Sequence, residues 1–186
     1  MAELIEFDTE RLRLRQWIET DRESFARLSA DPRVMKFFPS ILDRAASDAM
    51  VDRLGALIAE RGWGLWAVET QADHQFIGFV GLHVPKADLP CSPCVEIGWR
   101  LAFEYWGKGY ASEAARGALK VGFDRLSIPE IVSFTATINR RSRAVMERLG
   151  MDLDAETFEH PSLPVGHPLC EHYLYRLSRE KWRSSQ

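Results

Sequence analysis

Residues 95–112, VEIGWRLAFEYWGKGYAS, constrain this chain more than any other stretch. Residues 95–101 read as a strand, and Gly107-Lys108-Gly109-Tyr110-Ala111 then opens a helix expected over 108–125. Two glycines let the backbone approach a ligand closely and turn several N–H groups one way. The first N–H groups of the helix lack internal partners, and the aligned peptide dipoles put partial positive charge there. A strand, glycine loop and helix in this order make an anion site suited to a pyrophosphate. Neither common nucleotide signature is met. Ser112 stands where Gly-x-Gly-x-x-Gly needs its third glycine, and the Gly-Lys pair lacks the earlier glycine of a Walker loop. On the triplet alone, an ordinary glycine-rich turn is the alternative reading.

The remaining elements follow from periodicity. Residues 10–17 alternate Arg11, Arg13 and Arg15 against Leu12 and Leu14, a half-buried strand. A helix follows over 19–30, with Thr20 or Asp21 able to cap it. Asp31-Pro32 opens a short helical turn carrying Val34, Phe37 and Phe38, closed by Pro39. A second helix is expected over 43–61, with Ala46, Met50, Leu54, Leu57 and Ile58 as its apolar stripe. Strands at 64–70 and 75–84 flank a turn, and 95–101 is the third of this group. Beyond the glycine loop come a buried strand at 130–137, a helix at 139–149 stopped by Gly150, and final strands at 151–160 and 170–178. The order is β-αα-βββ-α-β-α-ββ: an α/β fold with a mixed, mostly antiparallel central sheet of six to seven strands.

Composition narrows the class. A chain of 186 residues with 46% hydrophobic side chains is long enough for one domain, 1–186, with a real core. A net charge of −3 argues against a nucleic-acid partner, which usually calls for a basic surplus on one face. The first eight residues have neither the basic nor the apolar region of a secretory signal, and no run approaches a membrane span. Three cysteines, Cys91, Cys94 and Cys170, are too few for a disulfide framework. The expected location is cytoplasmic, with no membrane partner; a homodimer is left open.

Five segments, taken together, resemble the GCN5-related N-acetyltransferases (GNAT), and within them the RimJ/RimL type of ribosomal-protein acetyltransferase. They are TERLRLR at 9–15, EIGW at 96–99, YWGKGYASEA at 105–114, NRRS at 139–142 with LGM at 149–151, and HYLYRLSR at 172–179. The resemblance spans nearly the whole chain and implies helices on both faces of the sheet. It implies acetyl-CoA as cosubstrate, no metal, and direct transfer to a primary amine, either a protein N-terminus or a small molecule. The thioester is expected in a V-shaped opening between the central strand and the next parallel one. Trp99, Arg100 and Leu101 would offer backbone groups to the pantetheine. Trp106, Gly107, Lys108, Gly109, Tyr110, Ala111 and Ser112 would hold the pyrophosphate, with Asn139 and Ser142 on the far side. Trp106 occupies a position that is Gln or Arg in the wider superfamily.

Acetyl transfer needs a free-base amine, although an α-amine has a pKa near 8 and a lysine near 10.4. Alternation puts Glu96, Gly98 and Arg100 on one strand face, and a glutamate within an apolar strand is costly unless it faces a wet cleft. Glu96 is the candidate base, an ion pair to an Arg its alternative; His83 and His172 are rivals. The oxyanion donor implied by the resemblance is an N–H near Trp99. The acid of many superfamily members is a Tyr seven residues after the Asn, and Met146 stands there. Ser142 is the substitute implied, hydrogen-bonding the leaving sulfur; helix-start bonding is its plainer role.

Other signals read as structural. Cys91-Ser92-Pro93-Cys94 has C-x-x-C spacing but no second ligand pair for zinc and no helix start for redox chemistry. Arg140, Arg141 and Arg143 read as a solvated basic face, with the CoA 3′-phosphate as the alternative. Trp63, Trp66, Phe37 and Phe38 come from segments that line the acceptor cleft in relatives; most of them read as core, with one or two able to shape an apolar acceptor pocket. The Pro-rich loop 160–168 suits a fixed position near the acceptor. A CoA-binding regulatory domain without turnover is the competing function, and an RNA- or ribosome-surface module would need a basic patch that the charge balance does not supply.

Overall fold

Period-two and helical stretches alternate along the chain, and the computed structural model, which describes residues 2–185, turns most of them into elements. In chain order these are β1 (Phe7–Asp8), β2 (Leu12–Arg15), α1 (Asp21–Ala30), α2 (Arg44–Arg61), β3 (Leu65–Thr70), β4 (Phe76–His83) and β5 (Glu96–Leu101). Then come α3 (Tyr110–Lys120), β6 (Glu130–Ala136), α4 (Arg140–Arg148), β7 (Asp152–Leu153), β8 (Phe158–Glu159), β9 (Glu171–Ser178) and α5 (Arg179–Ser184). The chain divides into two compact units, one formed by residues up to Leu82 with Gly98–Gly117, the other by His83–Ile97 with the residues from Ala118 on.

In the first unit β1 to β4 pair antiparallel in sequence order. Leu12 and Leu14 share a sheet face with Trp66 and Val68, and these four, like Phe25 and Ile58, are essentially without exposure. Each such side chain contributes roughly 1.5–3 kcal/mol when fully buried. The alternating arginines of β2 do not all face water. Arg15 is buried because its guanidinium bonds both Asp21 oxygens at 2.8 and 2.9 Å and Glu69 at 2.8 Å. Asp21 is thereby taken up by Arg15 and the Ile18 N–H, and Thr20 makes no side-chain cap. Asp43 does cap α2, accepting from the Ala46 N–H, and Gly62 closes that helix at φ 83°. The buried stripe of α2 is Ser47, Val51, Leu54 and Ile58, so its register is turned from the expected one and Ala46 faces solvent. Residues 31–43 form turns and coil instead of a short helix.

In the second unit β6 and β9 form a seven-residue antiparallel ladder from Glu130 opposite Ser178 to Ala136 opposite His172. β7 and β8 each pair with β9. The expected strand at 151–160 is therefore two short ones, separated by a bend at 155–156, just after Asp154, which accepts Arg176 Nε at 2.9 Å. This break and β1 raise the strand count among the described residues to nine, above the six or seven expected. Among the described residues β5 with β6 is the one parallel pairing, so the mixed, mostly antiparallel character holds. α3 keeps its small residues Ala114, Ala115 and Ala118 buried and runs into a wider turn at Val121–Arg125. No helix is long and apolar enough to cross a membrane among the described residues.

Candidate active site

The glycine loop sits at the end of β5 and the start of α3, within the first unit. Gly107 and Gly109 take φ of 74° and 81°, left-handed values that L side chains seldom adopt. A Cβ on Gly107 would meet no heavy atom within 4 Å, so the backbone borders open space there. The loop is held from a distant strand. Thr9 Oγ1 donates to Glu113 Oε1 at 2.6 Å, the Arg11 N–H reaches the same oxygen at 2.8 Å, and Arg11 Nε reaches Oε2 at 2.7 Å. Arg11 Nη1 also bonds the Lys108 carbonyl at 3.0 Å, and its guanidinium lies over the Tyr110 ring. Burial pushes the Glu113 carboxyl up, but Thr9 and Arg11 outweigh it and hold it below the usual carboxylate range. A carboxylate in the first turn of α3 would by itself oppose an incoming anion; Arg11 neutralises it. The segments TERL and SEA are thus two halves of one clamp.

Trp106 folds back on its own strand. Its indole N–H donates to the Leu101 carbonyl at 2.8 Å, and its ring packs against Phe103. The Arg100 carbonyl lies close to Gly78, on the β4 side. By strand parity the Trp99 and Leu101 peptide groups point the same way as Ile97, whose carbonyl accepts from Ser133 Oγ at 2.9 Å. The Leu101 carbonyl is already taken by Trp106. Lys108 extends its ammonium over the Tyr105 ring at 5.2 Å.

Arg100 itself is buried, 8% exposed, with its guanidinium 4.2 Å from the Phe38 ring centroid. Burial lowers its pKa to about 10, which leaves it charged at neutral pH.

In the second unit Glu96 Oε2 lies 2.9 Å from His83 Nε2. Two groups the sequence presents as rival bases are one hydrogen-bonded pair. Burial pushes the Glu96 carboxyl well above its ordinary range. His172, the other rival, packs among Phe134, Phe158 and His160, with its ring nitrogen 3.0 Å from the Cys170 carbonyl. Burial first, opposed by that carbonyl and reinforced by His160, keeps His172 below its ordinary pKa. It belongs to a packed aromatic cluster that also anchors the start of loop 160–168.

Asn139 caps α4. Its Oδ1 accepts from the Ser142 N–H at 3.3 Å, and its Nδ2 donates to Thr135 Oγ1 at 2.9 Å and to Ser142 Oγ at 3.1 Å. Because Ser142 Oγ accepts here, its own O–H is left as a donor. Met146 is buried in the core. Arg143 bonds the Tyr175 hydroxyl at 3.3 Å and lies over Tyr173. Cys91 and Cys94 are free thiols 2.9 Å apart, and burial followed by the Cys91 hydrogen bond pushes Cys94 up to about 12. No group of three metal-ligating side chains occurs among the described residues.

The functional contacts that sequence reading missed are the Glu113 clamp and the His83–Glu96 pair. The clamp had a signal, since both its halves lie in the segments that carry the family resemblance.

Comparison with known proteins bears on this geometry. A family model described as an acetyltransferase (GNAT) domain matches residues 11–152, well over half the chain. FsC-acetyl coenzyme A-N(2)-transacetylase of Aspergillus fumigatus is 32% identical over 187 residues, covering 96% of this chain and 78% of that protein. The solved structure of a GNAT-family acetyltransferase from Bacillus anthracis superposes with a TM-score of 0.79 at 26% identity, over 95% of this chain and 99% of that one. The ribosomal-protein-S5-alanine acetyltransferase from Vibrio fischeri shares the fold at a TM-score of 0.74 and 18% identity, covering 96% and 98%.

Proposed function

This chain belongs to the acetyltransferase (GNAT) family, and from that membership we propose that it passes the acetyl group of acetyl-CoA directly to a primary amine. Acyl transfer is the family's activity; the primary amine is our reading, on a protein N-terminus or a small molecule. The Aspergillus relative's name places its transfer on an N(2) position, which supports an amine acceptor. A single catalytic domain over 1–186 is part of the same reading. So is kinship with the RimJ/RimL type, which rests on the motifs at 105–114 and 139–142.

The observation that carries the reading is the loop at Gly107 and Gly109, left-handed, bordered by open space and leading into the N-terminus of α3. That cradle suits the CoA pyrophosphate through the backbone of residues 107–112, so a net −3 chain needs no basic patch to bind an anion. Trp106 would contribute through its backbone, Lys108 through its charge, and the peptide groups of Trp99 and Leu101 would meet the pantetheine. When bound, acetyl-CoA supplies the thioester carbonyl that the amine attacks, with a C–N bond formed and the C–S bond broken.

Glu96, paired with His83, takes the amine proton, directly or through water; a raised pKa suits a base that works near neutral pH. Ser142, with its oxygen engaged by Asn139, donates its O–H to the departing sulfur while solvent supplies the proton. Titrating acetyl-CoA by calorimetry and then following free-thiol release with peptides and small amines tests the scheme. Binding with release is the expected result. Binding without release to any amine would favour a CoA-binding regulatory domain, and no binding would overturn the reading.

A further inference from the structure

Two arginines of the first unit are equally buried, and their surroundings differ. Arg15 and Arg100 are each 8% exposed. Arg15 bonds Asp21 and Glu69, as a buried cation should. Arg100 has no carboxylate at ion-pair distance among the described residues; its Nη1 reaches Ser29 Oγ at 3.5 Å and Met50 Sδ at 3.9 Å. Its Nε has no hydrogen-bond partner among the described residues.

What surrounds the guanidinium is aromatic. The Phe38, Phe79 and Phe25 ring centroids lie 4.2, 5.3 and 6.0 Å from Arg100 Cζ. Phe38 is half-buried on the coil between α1 and α2, so it is the outermost wall. Ring faces attract a cation, but they do not satisfy an N–H donor. Ser47, one turn before Met50 on α2, has a buried hydroxyl that likewise lacks a partner. Unpaired buried cations are strongly disfavoured, and burial has lowered this one only to about 10, leaving it charged. With Nη1 turned to Ser29, the Nε edge of the fork is the one available, and that edge takes two carboxylate oxygens side-on.

We propose that Arg100 seats a carboxylate of the acceptor, so that the amine acetylated belongs to a small molecule bearing a free carboxylate and an apolar portion. Amino acids are the simplest members of this class. Phe38, the one ring of the three that is not fully buried, contacts the apolar portion, while the Nε edge fixes the carboxylate and with it the orientation of the molecule. This inference rests on the acetyltransferase reading, and it narrows the acceptor within it.

The test compares leucine, phenylalanine and lysine with their carboxamides as acceptors for acetyl-CoA. Free-thiol release gives kcat/KM, corrected for the free-base fraction of each amine. The wild type is expected to favour the acids by about ten- to a hundredfold, the range for a charged hydrogen bond. Arg100→Gln should bring the ratio near one, and Arg100→Lys should keep part of it. A second readout needs no turnover: 3-phenylpropionate should raise the melting temperature of the wild type but not of Arg100→Met. In the absence of any carboxylate Arg100→Met should melt no lower than wild type, because it removes an unpaired charge. A ratio unchanged in Arg100→Gln, a preference for amides, an Arg100→Met variant that melts lower, or no transfer to either series by a protein that binds acetyl-CoA would each overturn the proposal. Failure to bind acetyl-CoA would instead overturn the acetyltransferase reading.

Discussion

At the scale of single residues the decisive contrast is between charges that have partners and charges that do not. Glu96 is buried and hydrogen-bonded to His83, and burial makes its carboxyl keep its proton to a higher pH than in the unfolded chain. Folding stability contributed by this group is therefore greatest at low pH, and it falls as pH rises from the ordinary carboxylate range through the raised value. In the proposed scheme, with Glu96 as the base, catalysis runs the other way, since only the ionised form accepts a proton. Glu96→Gln should lower kcat by about 10²- to 10⁴-fold, typical of losing a general base. It should leave acetyl-CoA affinity intact and abolish the decline in stability toward neutral pH. Stopped thiol-release assays and denaturant titrations from pH 4 to 8 check both halves. An acidic limb in kcat should be present in the wild type above the normal carboxylate range and lost in the variant.

At the scale of elements, the loop and its clamp behave as one device. Gly107→Ala adds a methyl group to open space, so its cost is backbone strain of about 1–3 kcal/mol at a left-handed position. Acetyl-CoA affinity should drop by more than stability does, because the added group occupies the face the anion needs; calorimetry beside chemical denaturation separates the two. Arg11→Ala removes the cation that offsets Glu113 and frees the Lys108 carbonyl. Two lost side-chain hydrogen bonds, each of roughly 0.5–1.5 kcal/mol, and a carboxylate without its cation at the helix start act in the same direction. The expected loss of acetyl-CoA affinity is about tenfold. With Arg11 gone the Glu113 pKa rises, so affinity in this variant should recover as pH is lowered; a loss that is independent of pH would exclude the charge argument. The glycine loop was legible in sequence because everything it needs is local: a strand, two glycines and a helix start within 18 residues. The clamp was not, since Thr9 and Glu113 are 104 residues apart. The same holds for Arg100 and Ser29, 71 apart, where alternation indicates a strand face but says nothing of what the face meets. The register of α2 was misjudged for a related reason. Ser47 and Val51 are buried there in place of Ala46 and Met50, and tertiary packing chose between two nearly equivalent stripes.

For the whole molecule, the order of strands and helices was readable from sequence because the changes from period two to helical spacing are sharp. The split of 151–160 into β7 and β8 was not, since the bend at 155–156 follows an ion pair from Asp154 to Arg176, a residue of β9 22 positions away. A ligand that binds only the folded chain stabilises all of it. At a hundredfold excess over its Kd, acetyl-CoA should add about 2.7 kcal/mol. For a chain of this length that corresponds to a rise in melting temperature of about 5–10 °C, to be measured by calorimetric scanning. The clamp also imposes an order on synthesis. Thr9 and Arg11 leave the ribosome about a hundred residues before Glu113, an interval of roughly 5–20 s at ordinary elongation rates. During that time the amino-terminal arm waits without its final partner. A fused segment or a chaperone that holds the arm through this interval would leave a translated chain whose anion loop has not been secured.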